Sequence, residues 1–194
     1  MTRPELLVGD DGRARCGWVG ADAEYARYHD EEWGVPLHGD RPLFEKISLE
    51  GFQAGLSWIT ILRRRPGFRD AFDGFDIDTI AAYDEADVER LMIDARIIRN
   101  RAKVLATIGN ARITADLIRE RPGLLDELVW GFAPPPRARP RTWAEIPAVT
   151  GESQALSAGL RKRGFRFVGP TTMYALMQSA GLVDDHLEGC WRAA

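Results

Sequence analysis

The chain has 194 residues, 45% of them hydrophobic and 28% charged, the profile of one globular domain large enough to bury a core. A net charge of −3 speaks against a broad basic surface, so a nucleic-acid partner would engage few phosphates, with a modest salt dependence. No stretch approaches the ~20 uninterrupted apolar residues of a membrane span, and residues 1–14 lack the features of a signal peptide, so a cytoplasmic protein is expected. Residues 1–14 read as a polar extension before a single domain at 15–194.

From there the pattern is helical nearly throughout. Asp40 offers an N-cap with Pro42 in the first turn, and Leu43, Phe44, Ile47, Leu49 and Phe52 recur at near-helical spacing up to Gly55. Ser57 caps a second helix over 58–64 that Pro66 stops, and residues 67–72 make a short third one. Asp76 opens another helix through Ile80 to Tyr83. Asp84 and Asp87 resemble a capping arrangement for residues 88–93. A long amphipathic helix spans about 100–119, with Val104, Ile108, Ala111, Leu117 and Ile118 inward, and ends before Pro122-Gly123. Residues 124–132 form a short helix. Residues 134–140, with Pro134, Pro135, Pro136 and Pro140, must be an exposed extended loop. Helices at 153–163 and 171–180 stop at Gly164 and Gly181. Residues 165–168 are the one candidate strand. The fold class is all-α, with several short helices around one long one.

The two cysteines lie near the two ends of the chain, each with a histidine close by. Cys16 precedes His29, and Cys190 follows His186 by one helical turn. Two thiolates and two imidazoles complete a tetrahedral set for Zn²⁺ and leave no position for water, so such a metal would be structural. It would also require the chain ends to meet. Spacing alone leaves two other readings open: small buried cysteines with satisfied histidines, or a Cys16–Cys190 disulfide, for which nothing suggests an oxidising compartment.

Aromatic residues crowd the first third: Trp18, Tyr25, Tyr28, Trp33, Phe44, Phe52 and Trp58. Glu50 sits inside the apolar run 47–56, so its carboxylate is partly buried or at a pocket floor. Aromatic walls with one carboxylate suit a flat, electron-poor, nitrogen-rich ring. The plainer alternatives are core aromatics, and a Glu50 that is solvent-exposed or paired with Lys46 one turn earlier. Three basic clusters stand out: Arg63-Arg64-Arg65, then Arg96 with Arg99, Arg101 and Lys103, then Arg161-Lys162-Arg163. Each alone reads as a solvated helix face.

Several segments together resemble the DNA-3-methyladenine glycosylase I family. They are Arg15-Cys16-Gly17-Trp18, the run from Tyr28-His29-Asp30 to Trp33-Gly34-Val35-Pro36, and Leu49-Glu50-Gly51-Phe52-Gln53-Ala54-Gly55-Leu56-Ser57-Trp58. Asp94-Ala95-Arg96-Ile97-Ile98-Arg99-Asn100-Arg101-Ala102-Lys103 looks like the family's helix-hairpin-helix. Lys162-Arg163-Gly164-Phe165-Arg166-Phe167-Val168-Gly169-Pro170-Thr171 and Gly181-Leu182-Val183-Asp184-Asp185-His186 complete the match. The resemblance covers about residues 15–190.

It implies a compact multi-helix glycosylase fold, and a base excision repair enzyme that hydrolyses the N-glycosidic bond of 3-methyladenine in alkylated double-stranded DNA. It implies Cys16, His29, His186 and Cys190 as ligands of one structural Zn²⁺ that clasps the chain ends. Glu50 falls on the base-recognition carboxylate, Trp58 on the stacking platform, Tyr28 and Tyr25 on the tyrosines near the base, and Trp18 and Trp33 on the pocket wall. Leu56 is the candidate wedge for the vacated stack, a buried core leucine being the alternative. Arg96, Arg99, Arg101 and Lys103 are candidate DNA contacts. Arg96 departs from the glycine common in the family's hairpin, so either the turn geometry changes or Arg96 adds a phosphate contact. No lysine occupies an obvious pocket position, so Schiff-base chemistry and strand cleavage are not expected. Asp94 reads as a helix-end residue. A zinc-containing module that binds damaged DNA without turnover is the competing reading, followed by a zinc hydrolase of a small purine. No obligate protein partner is called for, and nothing requires more than a monomer.

Overall fold

A computed structural model describes residues 4–193. Among them are strands β1 (Leu6–Val8) and β2 (Ala14–Cys16) and nine helices. The helices are α1 (Ala23–Glu31), α2 (Asp40–Gln53), α3 (Trp58–Ala71), α4 (Ile77–Ala81), α5 (Glu85–Ile93), α6 (Arg101–Glu120), α7 (Leu124–Trp130), α8 (Gly151–Lys162) and α9 (Pro170–Ser179). No helix among the described residues is long and apolar enough to cross a membrane.

Local chemistry starts most helices where the sequence places them. The Asp76 carboxylate accepts the Thr79 N–H at 3.0 Å, Asp84 and Asp87 close a capping box on α5, and Asn100 accepts the Lys103 N–H at 3.2 Å. Val104, Ile108 and Ala111 put α6 through the main core, with Leu117 and Ile118 at its edge. Thr150 and Ser153 form a second capping box, which starts α8 two residues before the expected position.

Asp40 behaves differently from the expectation. It lies inside α2, and its carboxylate accepts the N–H groups of Gly123, Leu125 and Asp126 at 2.7, 3.0 and 3.1 Å, so it caps α7. In return the Asp126 carboxylate accepts the Gly39 N–H at the start of α2. Each helix thus satisfies the other's free donors.

Three further expectations change. Pro66 does not end its helix: α3 runs on to Ala71, merging two expected helices. Phe68 on the continuation and Phe72 at its cap are fully buried, and Phe68 packs on Phe52 with ring centres 4.7 Å apart. Burying two such side chains contributes about 3–6 kcal/mol, which offsets the roughly 3 kcal/mol cost of an internal proline. Residues 165–168 form an irregular turn. The only strand pair among the described residues lies at the other end, where β1 pairs antiparallel with β2, Leu6 opposite Cys16. Residues 6–8 of the expected extension therefore belong to the folded body, while residues 1–3 lie outside the described residues, as does Ala194. The apolar run Leu6-Leu7-Val8 is too short to announce itself by periodicity.

The proline-rich loop is extended but anchored. Arg137 reaches Asp185 at 2.6 Å and the Tyr174 hydroxyl at 2.7 Å, Arg139 reaches Asp184 at 2.7 Å, and the Pro140 carbonyl accepts the Glu188 N–H at 2.8 Å. Pro140 itself is buried. A second small core, with Cys16, Tyr28, Trp33, Leu62, Leu187 and Cys190, brings the first and last segments together. Trp58 packs against both cores.

Candidate active site and metal centre

A cavity of about 300 Å³ opens where α1, α2, α3 and α9 converge. Asp22 caps α1 by accepting the Tyr25 N–H at 2.9 Å, and that helix presents Tyr25 and Tyr28 on one face. The end of α2 supplies Glu50 and Gln53, the first residue of α3 is Trp58, and α9 adds Ala175, Gln178 and Ser179. Trp18 and Trp33 complete the aromatic wall. All six residues expected at the pocket line this one cavity. Trp143, Ile146, Gln178 and Ser179 line it too, from segments where the sequence carries no signal of it.

Glu50 is 2% exposed, so it is not a solvated helix position. The Ser179 hydroxyl donates to its Oε1 at 2.9 Å. Burial pushes its carboxyl above the ordinary value, while the field of Lys46 and the Ser179 hydrogen bond pull it back. Lys46 was not expected in the pocket region, yet it is buried beside it. Its ammonium donates to the Tyr28 hydroxyl at 3.1 Å and stands over the Trp58 ring at 4.6 Å and the Tyr28 ring at 5.0 Å. Burial brings Lys46 down to about 8, against an upward pull from Glu50. It lines the neighbouring cavity with Glu32, Arg65 and Leu49, not the one that Glu50 and Trp58 share. The spacing of four residues from Glu50 was the available clue.

The aromatic wall is closely packed. Trp18 meets Tyr25 edge-on at 4.9 Å and Trp33 at 5.2 Å, and Tyr28 lies 5.6 Å from Trp58. The indole N–H of Trp58 is buried without a hydrogen-bond partner, a donor that the cavity wall leaves unspent. Burial, then the field of Glu50, pushes the Tyr28 phenol well up, so it stays protonated.

Next to this wall the two chain ends meet at four buried side chains. The ligand atoms of Cys16, His29, His186 and Cys190 all lie within 4.8 Å of one another. Cys190 Sγ is 3.4 Å from His29 Nε2 and 3.7 Å from His186 Nδ1, and Cys16 Sγ is 3.8 Å from His186 Nδ1. A tetrahedral metal with bonds of about 2.3 Å to sulfur and 2.0–2.1 Å to nitrogen separates S and N by about 3.5 Å. The donor set therefore fits a metal ion. The outer shell fits as well: His29 Nδ1 meets the Asp30 carboxylate at 2.8 Å, and His186 Nε2 meets the Trp33 carbonyl at 3.1 Å. Asp30 is held in turn by Arg15 at 2.7 Å and by the Trp191 indole N–H at 2.9 Å. Both cysteines are free thiols, not a disulfide.

The model of the methyladenine glycosylase family matches residues 18–193. The chain belongs to this family. It is 51% identical over 178 residues to DNA-3-methyladenine glycosylase 1 of Escherichia coli (strain K12), covering 91% of this chain and 95% of that protein. A crystal structure of a 3-methyladenine DNA glycosylase I superposes with a TM-score of 0.88 at 47% identity, covering 91% of this chain and 98% of the other. A point variant of a 3-methyladenine DNA glycosylase I, solved in complex with 3-methyladenine, superposes with a TM-score of 0.84 at 30% identity, covering 90% and 94%.

In this glycosylase-family chain residues 94–100, expected to be the turn of the helix-hairpin-helix, join α5 to α6. Arg96 lies outside the left-handed region, so its turn needs no glycine. The glycine stands across from it instead: a Cβ on Gly67 of α3 would come within 2.7 Å of the Arg96 Cβ. The Asp94 carboxylate accepts the Arg96 N–H at 2.8 Å, the helix-end role expected of it.

Of the expected DNA contacts, Lys103 is corrected. Its ammonium donates to the carbonyls of Phe52 at 2.9 Å and Ala54 at 2.7 Å, satisfying free acceptors at the end of α2, and it is not free to meet phosphate. Arg96 pairs with Asp94 and Asp70, and Arg101 with Glu85 and Glu89. Arg99 is exposed and in no ion pair among the described residues. Leu56, 40% exposed on the turn between α2 and α3, is no core leucine.

Proposed function

We infer that this chain excises 3-methyladenine from alkylated double-stranded DNA by hydrolysing the N-glycosidic bond, with no lyase step. The observation that carries the reading is that the Glu50 carboxylate and the Trp58 indole are walls of the same cavity. Methylation at N3 makes the adenine ring cationic. An indole face attracts a cation through its quadrupole, and a carboxylate in a dry cavity attracts it far more strongly than in water. A neutral, unmethylated base gains neither contribution. Selection of the charged base is thus built from Glu50 and Trp58, with Tyr28, Tyr25, Trp18 and Trp33 fixing the plane in which the ring lies.

A cationic base is already a good leaving group, so little acid catalysis is required. What the protein supplies is extrusion and capture. Leu56 enters the stack that the flipped nucleotide leaves, and main-chain N–H groups of the hairpin, with Arg99 beside them, hold the backbone without reading its sequence. Lys46 is spent on Tyr28 and Trp58 from behind the wall, which supports hydrolysis by water over an amine–sugar adduct.

Cys16, His29, His186 and Cys190 would hold Zn²⁺. With all four positions filled by protein, zinc there supplies structure alone, locking β2 and α1 to the C-terminal segment behind Trp18 and Trp33. The functional reading is tested by incubating the protein with methylated duplex DNA and identifying the bases set free. Released 3-methyladenine with uncleaved abasic strands supports it. Bound DNA without released base would make the chain a silent binder.

A further inference from the structure

We propose that Trp143 is a further base-binding residue, an indole held in the cavity wall by the N-terminal segment so that it contacts the captured purine. This rests on the glycosylase reading and deepens it. The base site then draws on residues 4, 5 and 143, all remote in sequence from the helices that carry Glu50 and Trp58.

The first observation is place. Trp143 and Ile146 line the cavity that Glu50 and Trp58 share, and both pack on the second small core beside Trp18 and Tyr25. They are the lining residues that come from the connection between α7 and α8. Trp143 is half-buried, in a turn (Trp143–Glu145) that has no buried residue, and it takes no part in the main core. So large a ring left partly open beside a cavity is contact area available to a ligand.

The second is how the ring is held. The Glu5 carboxylate accepts the Trp143 backbone N–H at 2.9 Å, and the indole N–H donates to the Pro4 carbonyl at 3.5 Å. Both donors of Trp143 are spent on the N-terminal segment, so ring carbon is what it offers the cavity. That segment is itself fixed against another part of the wall. The Glu5 carbonyl accepts the Gly17 N–H at 2.7 Å, and a Cβ on Gly17 would come within 1.9 Å of the Pro4 carbonyl oxygen, so only glycine fits before Trp18. The turn is fastened from its other side too. Glu145 accepts the Arg141 N–H at 2.7 Å, and the Arg141 guanidinium reaches Glu188 at 3.0 Å. An indole fixed in this way loses little freedom when a ligand arrives.

The third is chemistry. One more indole face adds to the attraction for a cationic ring and covers more of a flat one. Covering the ring also keeps water from beside Glu50, where the carboxylate attracts a cation more strongly as the local dielectric falls.

The test is fluorine NMR of the full chain labelled with fluorotryptophan, titrated with free 3-methyladenine. Trp143→Phe and Trp58→Phe assign the two signals, and both are expected to move at saturation. Trp143→Leu is expected to weaken free-base affinity about tenfold by calorimetry, and Trp143→Phe to recover most of the loss. Glu5→Ala should weaken it about threefold alone and add nothing to Trp143→Leu, because it acts through that ring. A Trp58 signal that moves while that of Trp143 stays, or wild-type affinity in Trp143→Leu, would overturn the proposal and leave the glycosylase reading standing. If no tryptophan signal moves and no base is released from methylated duplex, both fall. Should Trp143→Leu fail to fold, the Trp143 signal of the labelled wild type decides.

Discussion

The ammonium of Lys46 donates to the hydroxyl of Tyr28 at 3.1 Å, which places a buried cation directly behind the wall of the cavity that Glu50 lines. That cation, together with the Ser179 hydroxyl, favours the charged form of Glu50. Burial alone drives a carboxyl toward its neutral form, and the pull of Lys46 acts against it. The lysine thus serves the anion that captures the base, without facing the base itself.

Lys46→Met removes this support. The Glu50 carboxyl then rises further, and excision, which needs the anion, falls off at higher pH on the acid side. The acid limb of the single-turnover pH profile is therefore expected to move to higher pH. Superposable acid limbs for the two proteins would remove Lys46 from the account.

The same lysine makes a stability prediction of definite sign. Its folded value of about 8 lies below the ordinary 10.5, so between those limits the unfolded chain binds the extra proton. This group's contribution to stability therefore rises with pH across that window, by about 3 kcal/mol in all, and its full penalty applies below it. The check is the stability of wild type minus that of Lys46→Met between pH 7 and 10.5. A flat difference contradicts the burial of a titrating ammonium.

Much of this arrangement was legible in the sequence, and the omissions have common causes. The long helix and the caps at Asp76 and Asp84 depend on neighbours within a turn, so local chemistry reveals them. Glu50 stood out because a carboxylate inside an apolar run demands a reason. Ser179 did not, because its contact with Glu50 spans 129 residues. Lys103 misleads for a related reason: a cation in a basic cluster looks free until the fold shows the carbonyls it meets. Pro66 misled because its local cost is visible, whereas the buried Phe68 and Phe72 that offset it are a tertiary matter.

The clasp predicts about one equivalent of zinc in purified protein, lost in Cys190→Ser together with a drop in melting temperature. Because such a metal is structural, chelation should remove excision slowly, in step with unfolding. A metal-free protein that melts like the wild type would refute the zinc assignment, and instant loss of turnover on chelation would point to a catalytic ion.

Leu56→Ala tests the wedge. The leucine is already exposed, so the melting temperature should hardly change. Excision from duplex should fall several-fold, while excision from methylated single strands, which need no unstacking, should not. Equal losses on both substrates would assign Leu56 to general DNA contact.

The most direct measurement is single-turnover release of 3-methyladenine from methylated duplex by Glu50→Gln, which keeps the shape of the side chain and removes its charge. Losing one charge-assisted contact of about 1.5–3 kcal/mol predicts a rate lower by about 10- to 100-fold, with unchanged folding and unchanged affinity for undamaged duplex. Release at the wild-type rate would mean that the cationic base is not held by this carboxylate.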